Sequence, residues 1–418
     1  MSSPWRRRIG VGVIALLLVI VGAGVGLYLH LDGNLHTAAF TSHGHETADA
    51  AGHTPINLLV IGSDTRASSS DCRIGGDCSI ATATSTKATS SAANADVLMV
   101  VHISADRTNA TVLSIPRDTM VAVPACTDSV TGARETAHTA RINSTFQYGA
   151  DCTASAVHRL TGIAIDHFMV IDFAGVVKMS DAVGGVSVCV DRDVYDPYSH
   201  LKLAKGTHTL QGRAALEFLR TRHGFGDGSD IGRTVAQHIF LSSMLRNMES
   251  ASTLANPVKV LKLANAATSA VTVDAGLGSV KALTSLAYQL SQVPGSRTTF
   301  VTAPTSPDPS NANVVIPAAN APALFAKIAS DTSLTHATVG TATQTAHRSK
   351  PSATPSSSAG SSASAQVAAE TGDDYATTVT SSTGCAQVST ERTVTVNGLA
   401  MTPTQAYELS SAIPDSEP

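Results

Sequence analysis

Short unbroken apolar runs alternate along this chain with stretches of helical spacing, and that alternation limits the fold more than any other feature. Residues 56–61 (INLLVI) are apolar but for Asn57 and end in Gly-Ser-Asp, the pattern of a buried strand delivering a loop. Residues 97–103 and 111–115 read as two further strands around a turn at 105–109. Residues 142–161 carry helical spacing, 167–173 read as a strand, and 174–183 as a helix stopping at Gly184-Gly185. A strand at 186–190 and a helix at 211–219 follow. Asp230 is placed to cap a helix running to about Met248. The apolar residues Val235, Ile239, Leu241, Leu245 and Met248 lie mostly on one side of it, and Arg233 and Gln237 share another face. Asn256-Pro257 starts another helix, 297–302 is a late strand, and 320–330 a last helix. Strands interleaved with helices predict an α/β domain of three αβα layers around a central mixed sheet.

The N-terminus sets the expected compartment. Residues 9–29 form an uncharged apolar run of about the length that spans a bilayer as a helix, directly after Arg6, Arg7 and Arg8. That order keeps the N-terminus in the cytoplasm and sends the remainder outside. A cleaved signal peptide or a twin-arginine signal would carry a shorter apolar core and a small-residue cleavage site. The expected organisation is a cytoplasmic N-terminus at 1–8, a transmembrane helix at 9–31 and a polar linker at 32–54. A domain at 55–335 follows, then a Ser/Ala/Thr-rich disordered linker at 336–374 and a tail at 375–418. His43 and His45 in the linker are open to weak metal binding or simple solvation. Six cysteines are too few for a disulfide scaffold, but an oxidising compartment permits pairs. Cys72 with Cys78 and Cys126 with Cys152 are the preferred pairs, with connectivity not fixed by spacing, while Cys189 reads as a small core residue.

Composition excludes several functions. Lys+Arg 28 against Asp+Glu 32 gives a net charge of -4, so no broad basic field offers itself to nucleic acid. Aromatic residues make up 4% of the chain, too few for base-stacking or sugar-stacking surfaces. Only 14% of residues are charged, yet Arg220, Arg222 and Arg233 gather around a glycine-rich turn in RTRHGFGDGSDIGRTVAQ, residues 220–237. Guanidinium forks grip phosphate bidentately and stay protonated, so this stretch reads as half of a pyrophosphate clamp.

Three loops at strand ends supply the remainder, where open α/β sheets place their ligands. They are Asp64 and Arg66 after the first strand, Asp96 before the second, and Arg117-Asp118 after the third. Each alone is an ordinary turn. Together with the 220–237 stretch they offer the carboxylates of Asp64 and Asp96 beside five arginines, Arg66, Arg117, Arg220, Arg222 and Arg233. A pyrophosphate shared between Mg²⁺ and guanidiniums satisfies both sets, because Mg²⁺ needs few protein carboxylates when phosphate oxygens complete its shell. No G-x-S-x-G nucleophile elbow is present.

The segments INLLVIGSDTR, NADVLMVVHI, SIPRDT, RINSTFQYG, HFMVIDF, DAVGGV and RTRHGFGDGSDIGRTVAQ, in this order, resemble the LytR-CpsA-Psr family of bacterial cell-envelope phosphotransferases over about residues 55–330. The resemblance implies transfer of a glycan phosphate from a polyprenyl-pyrophosphate carrier to a peptidoglycan hydroxyl, at the cytoplasmic membrane. It places Asp64 and Asp96 at Mg²⁺-binding positions and Arg117 at an arginine important for activity. Arg220, Arg222, Arg233 and Gln237 fall on pyrophosphate-binding positions, and Arg66 lies beside them. Asp64 and Asp118 are candidate bases, a role arginine cannot fill. Many members carry an arginine where this chain has Asn94, and another where it has Ala236, so two positive charges are missing. The alternatives are a non-catalytic lipid-pyrophosphate-binding regulator of envelope synthesis and a hydrolase of the same precursor.

Overall fold

The computed structural model describes residues 4–63, 94–129, 131–228, 230–250, 255–334, 377–379 and 384–416. For 4–17, 20, 173, 230, 231, 312 and 377–379 the backbone alone is described. Asp64, Arg66, Cys72 and Cys78 lie outside the described residues, as does the whole stretch expected to be a linker at 336–374.

Helix α1, Pro4–Gly33, contains the apolar run. Among the described residues no helix is long and apolar enough to cross a membrane; the side chains of the first half of α1 are not among them. The central sheet is built from β1 (His36–Ala38), β2 (Ile56–Ser63), β3 (Ala95–Ile103), β4 (Ala110–Ser114) and β5 (His167–Ile171). Two short hairpin pairs follow, β6 (Val186–Val190) with β9 (Gly206–Leu210) and β7 (Val194–Asp196) with β8 (Leu201–Leu203). Strands β10 (Val271–Asp274), β11 (Thr298–Thr302) and β12 (Thr377–Val379) complete the sheet, whose order is β1-β10-β5-β2-β3-β4-β11-β12. It is mixed: β2, β3 and β4 run antiparallel to their neighbours in this series, while β2 with β5 and β4 with β11 are parallel.

Alternation along the strands sends side chains to both faces, and both are covered. Leu59, Ile61, Leu98, Leu113 and Phe168 pack on one face with helices α2 (Ala150–Thr161) and, further along the chain, 321–329. On the other face Leu58, Val271 and Val273 meet Leu283 and Leu286, and Met99, Val112 and Phe300 meet Leu241. The three layers expected are present. A separate core lies beside them, where the β6–β9 hairpin, α4 (Gly212–Arg220) and α5 (Asp230–Glu249) bring Val188, Phe218, Phe225 and Phe240 together. Helix α3 (Phe173–Ala182) precedes these elements, its Asp172 cap accepting a hydrogen bond from the Gly175 amide at 2.7 Å.

Several expectations change. The single helix over 142–161 is a 3₁₀ segment, Ile142–Tyr148, followed by α2, because Gly149 between them takes φ 104, outside helical geometry. The apolar residues of α5 do not define its inner face. Val235 is 41% exposed whereas Arg233, Thr234, Gln237, His238 and Ser242 are buried. The helix lies between two cores, so nearly its whole circumference is used and its buried side is largely polar. The stretch expected as a linker at 32–54 joins the fold: β1 adds to the sheet edge and His43 bridges Ile165. Cys126 and Cys152 are bonded to each other. Cys189 is not a lone core residue but is bonded to Cys385. The tail expected at 375–418 is partly ordered, with a hairpin of Val394–Val396 and Leu399–Met401 and a helix Pro403–Leu409 that pack on Tyr195.

Candidate active site

Strand pairing gathers the loops. Ser63 at the end of β2 pairs with Ala95 at the start of β3, and Met99 pairs with Ser114 at the end of β4. The positions flanking Asp96 and Arg117 therefore share one edge of the sheet. Arg117 donates to the Asp96 carboxylate in a short, ion-paired contact. Its Nε lies 3.5 Å from Asp118 Oδ2.

Asp118 is the hub. Arg222 Nη2 stands 3.7 Å from its Oδ2, and Arg141 Nη1 stands 3.5 Å from its Oδ1. Three guanidiniums thus converge on one half-buried carboxylate and leave a local excess of positive charge, the setting in which a dense anion is best held. Arg141 was not singled out from sequence. It ends a short strand, His138–Arg141, whose register sets it opposite Met120, two residues after Asp118. The bonds from Ile142 N to Thr119 O at 2.8 Å and from Asn143 N to Arg117 O at 3.1 Å keep that alignment. Only its place at the head of RINSTFQYG hinted at a role.

Helices α4 and α5 bring the remainder. Arg220 closes α4 and is half-buried. Arg233, 4% exposed, donates from Nη2 to the backbone oxygen of Asp96 at 2.9 Å and so ties α5 to the start of β3. Gln237 faces inward and donates to Leu219 O at 3.1 Å. These two line a slot of about 10 Å³ with Asp96, Ser114 and Thr234. They are more deeply buried than Arg141 and Arg222, whose side chains are 43% and 35% exposed. The loop joining α4 to α5 can press against the helix only because Gly232 lacks a side chain; a Cβ there would run into the Phe225 carbonyl.

The histidines near the site are structural. Complete burial pushes His238 down to about 3, so it is neutral, and its Nε2 lies 2.7 Å from Ser114 Oγ. His223 is held through its backbone amide, which donates to buried Asp196 at 3.2 Å, and its ring rests against exposed Tyr198 at 4.5 Å between centroids. Among the described residues no group of three metal-ligating side chains comes together. Asp96 alone of the expected carboxylate pair is described, and it offers one hard oxygen donor to the edge where the arginines meet.

The model of the LytR-CpsA-Psr family (LytR_cpsA_psr) matches residues 28–326. The chain belongs to this family. The chain is 34% identical over 227 residues to the cell wall biosynthesis protein LcpA of Corynebacterium glutamicum, covering 50% of this chain and 43% of that protein. It is 31% identical over 176 residues to the polyisoprenyl-teichoic acid–peptidoglycan teichoic acid transferase TagV of Bacillus subtilis, covering 41% of this chain and 43% of that protein. The chain spans about half the length of the curated relatives it matches. Among solved structures, the LytR-Csp2A-Psr enzyme from Actinomyces oris shares the fold with a TM-score of 0.52 at 23% identity, covering 70% of this chain and 96% of that one. The family match stops short of the ordered C-terminal segment at 384–416.

Proposed function

We propose that this family member is a membrane-anchored phosphotransferase that moves a glycan phosphate from a polyprenyl-pyrophosphate carrier onto peptidoglycan during cell-wall assembly. The observation that carries the reading is the meeting of Arg117, Arg141 and Arg222 on Asp118, beside the Asp96–Arg117 pair. Relatives named as teichoic acid transferases and cell wall biosynthesis proteins support it. The anchor rests on the apolar run inside α1, with the three arginines before it on the cytoplasmic side and the domain outside.

An acceptor hydroxyl oxygen attacks the phosphorus next to the glycan, the bond from that phosphorus to the polyprenyl phosphate breaks, and the hydroxyl proton ends on the departing polyprenyl phosphate. Such a transition state is loose, and catalysis is mostly positioning and neutralisation of charge on the transferring and leaving oxygens. Arg117, Arg141 and Arg222 supply that neutralisation from fixed positions. Asp118, within 3.5–3.7 Å of all three, draws them together at set spacing, a positioning role. Asp96, together with Asp64, is the proposed holder of Mg²⁺, its hard oxygen suiting that ion. The ion would add charge neutralisation on the pyrophosphate oxygens.

A second reading is a non-catalytic lipid-pyrophosphate-binding regulator. It is favoured by Arg233 and Gln237, which are buried and each donate to a backbone carbonyl, Asp96 O and Leu219 O. Full-length protein in detergent, given labelled lipid-linked glycan, Mg²⁺ and peptidoglycan strands, separates the readings. Label on the strands supports the transferase; free sugar phosphate indicates a hydrolase; retained lipid without turnover indicates the regulator.

A further inference from the structure

The glycine-rich loop between Arg222 and Arg233 is held from outside by a segment beyond the family match. Phe225 bridges Val388 in antiparallel fashion. The Gly226 amide donates to Gln387 O at 2.9 Å, and the Ser389 amide donates to Gly224 O at 2.9 Å. Thr393 Oγ1 donates to His223 O at 2.5 Å. Three consecutive loop residues and the one before them are therefore paired with one short stretch of distant chain.

That stretch is itself fixed. Cys385 is bonded to Cys189 in β6, Ala386 N donates to Cys189 O at 2.7 Å, and Val388 N donates to Asp191 Oδ1 at 2.7 Å. Ala386 and Val388 are buried in the same core as Phe225. The approach is close enough that Gly228, at φ +76, has no room for a Cβ, which would strike the Thr393 side chain.

We propose that residues 385–393 are a positioning strap for the guanidinium loop, anchored covalently at Cys189 and closed at its far end by Thr393. Arg222 and Arg233 flank this loop, so its backbone sets the distance between the two sides of the site. An anion bridging several fixed donors binds in proportion to how well those donors are already placed. The effect on anion affinity rests on the proposed function; the strapping of the loop does not.

The test uses the full-length chain in detergent, comparing Thr393→Ala, Thr393→Ser and the double variant Cys189→Ser/Cys385→Ser with wild type. Hydrogen exchange is read at the 224–228 amides, and binding of inorganic pyrophosphate with Mg²⁺ by calorimetry. Thr393→Ala and the double variant should each raise exchange at 224–228 by about tenfold, leave β2–β4 protected, and weaken pyrophosphate by about tenfold. Thr393→Ser, which keeps the hydroxyl, should restore both. Unchanged loop exchange in both disrupting variants overturns the strap, and raised exchange with undiminished affinity overturns its positioning role. If wild type binds no pyrophosphate while loop exchange still responds, the phosphotransferase reading falls and the strap stands.

Discussion

Arg222, just beyond the end of α4, and Asp118, in the loop after β4, lie 3.7 Å apart although they are distant in sequence. The contact joins the sheet edge to the second core, and two other guanidiniums share the same carboxylate. Arg222→Ala should leave the fold intact and lower transfer by about 100- to 1,000-fold, the usual loss when one charge-stabilising donor is removed. Single-turnover rates with saturating donor measure it, and wild-type turnover would remove Arg222 from the site.

Arg141 makes a sharper test because sequence reasoning passed over it. It is 43% exposed, so its ion pair adds little to stability. Arg141→Ala should leave the melting temperature within about 1 °C of wild type, as surface pairs do. It should still reduce pyrophosphate affinity by about tenfold, the loss of one charge-assisted contact. Unaltered affinity would demote the residue to surface decoration.

His238 gives a pH signature. Its folded value of about 3 lies below the ordinary 6.5, because burial penalises the charged ring. The unfolded chain takes up a proton that the folded chain refuses, so stability is complete above about pH 6.5 and declines as pH falls toward 3, by at most about 1.4 kcal/mol per pH unit. Between about pH 7.5 and 5, His238→Asn should therefore lose less in melting temperature than wild type does. Parallel curves for the two proteins would contradict this.

Gly232→Ala tests the close approach at the start of α5. An added Cβ runs into the Phe225 carbonyl, so the helix must shift and carry Arg233 away from Asp96 O. The expected destabilisation is about 1–3 kcal/mol, typical of overpacking, with weakened pyrophosphate binding. Denaturant midpoints read the first effect and calorimetry the second.

Much of the architecture is legible in the sequence. The runs at 56–61, 97–103 and 111–115 are strands because they are apolar and buried on both sheet faces, and Asn256-Pro257 starts a helix whose Asn256 side chain accepts from the Val258 and Lys259 amides. The site was legible in part. Arg117 and Arg222 stood out because charge is rare in this chain, and both reach Asp118. Arg233 stood out for the same reason and Gln237 through the family resemblance, but both turn inward, because a helix between two cores has almost no free face for them.

Local order along the chain is enough to specify strands, helix starts and scarce arginines, since each depends on neighbours a few residues away. Contacts across long separations are another matter. The pairing of Cys189 with Cys385, the bracing of the glycine loop by Gln387 and Ser389, and the arrival of Arg141 at Asp118 all join segments whose spacing carries no trace of the meeting. Register between strands and packing between layers decide those, because they alone bring such segments within hydrogen-bonding range.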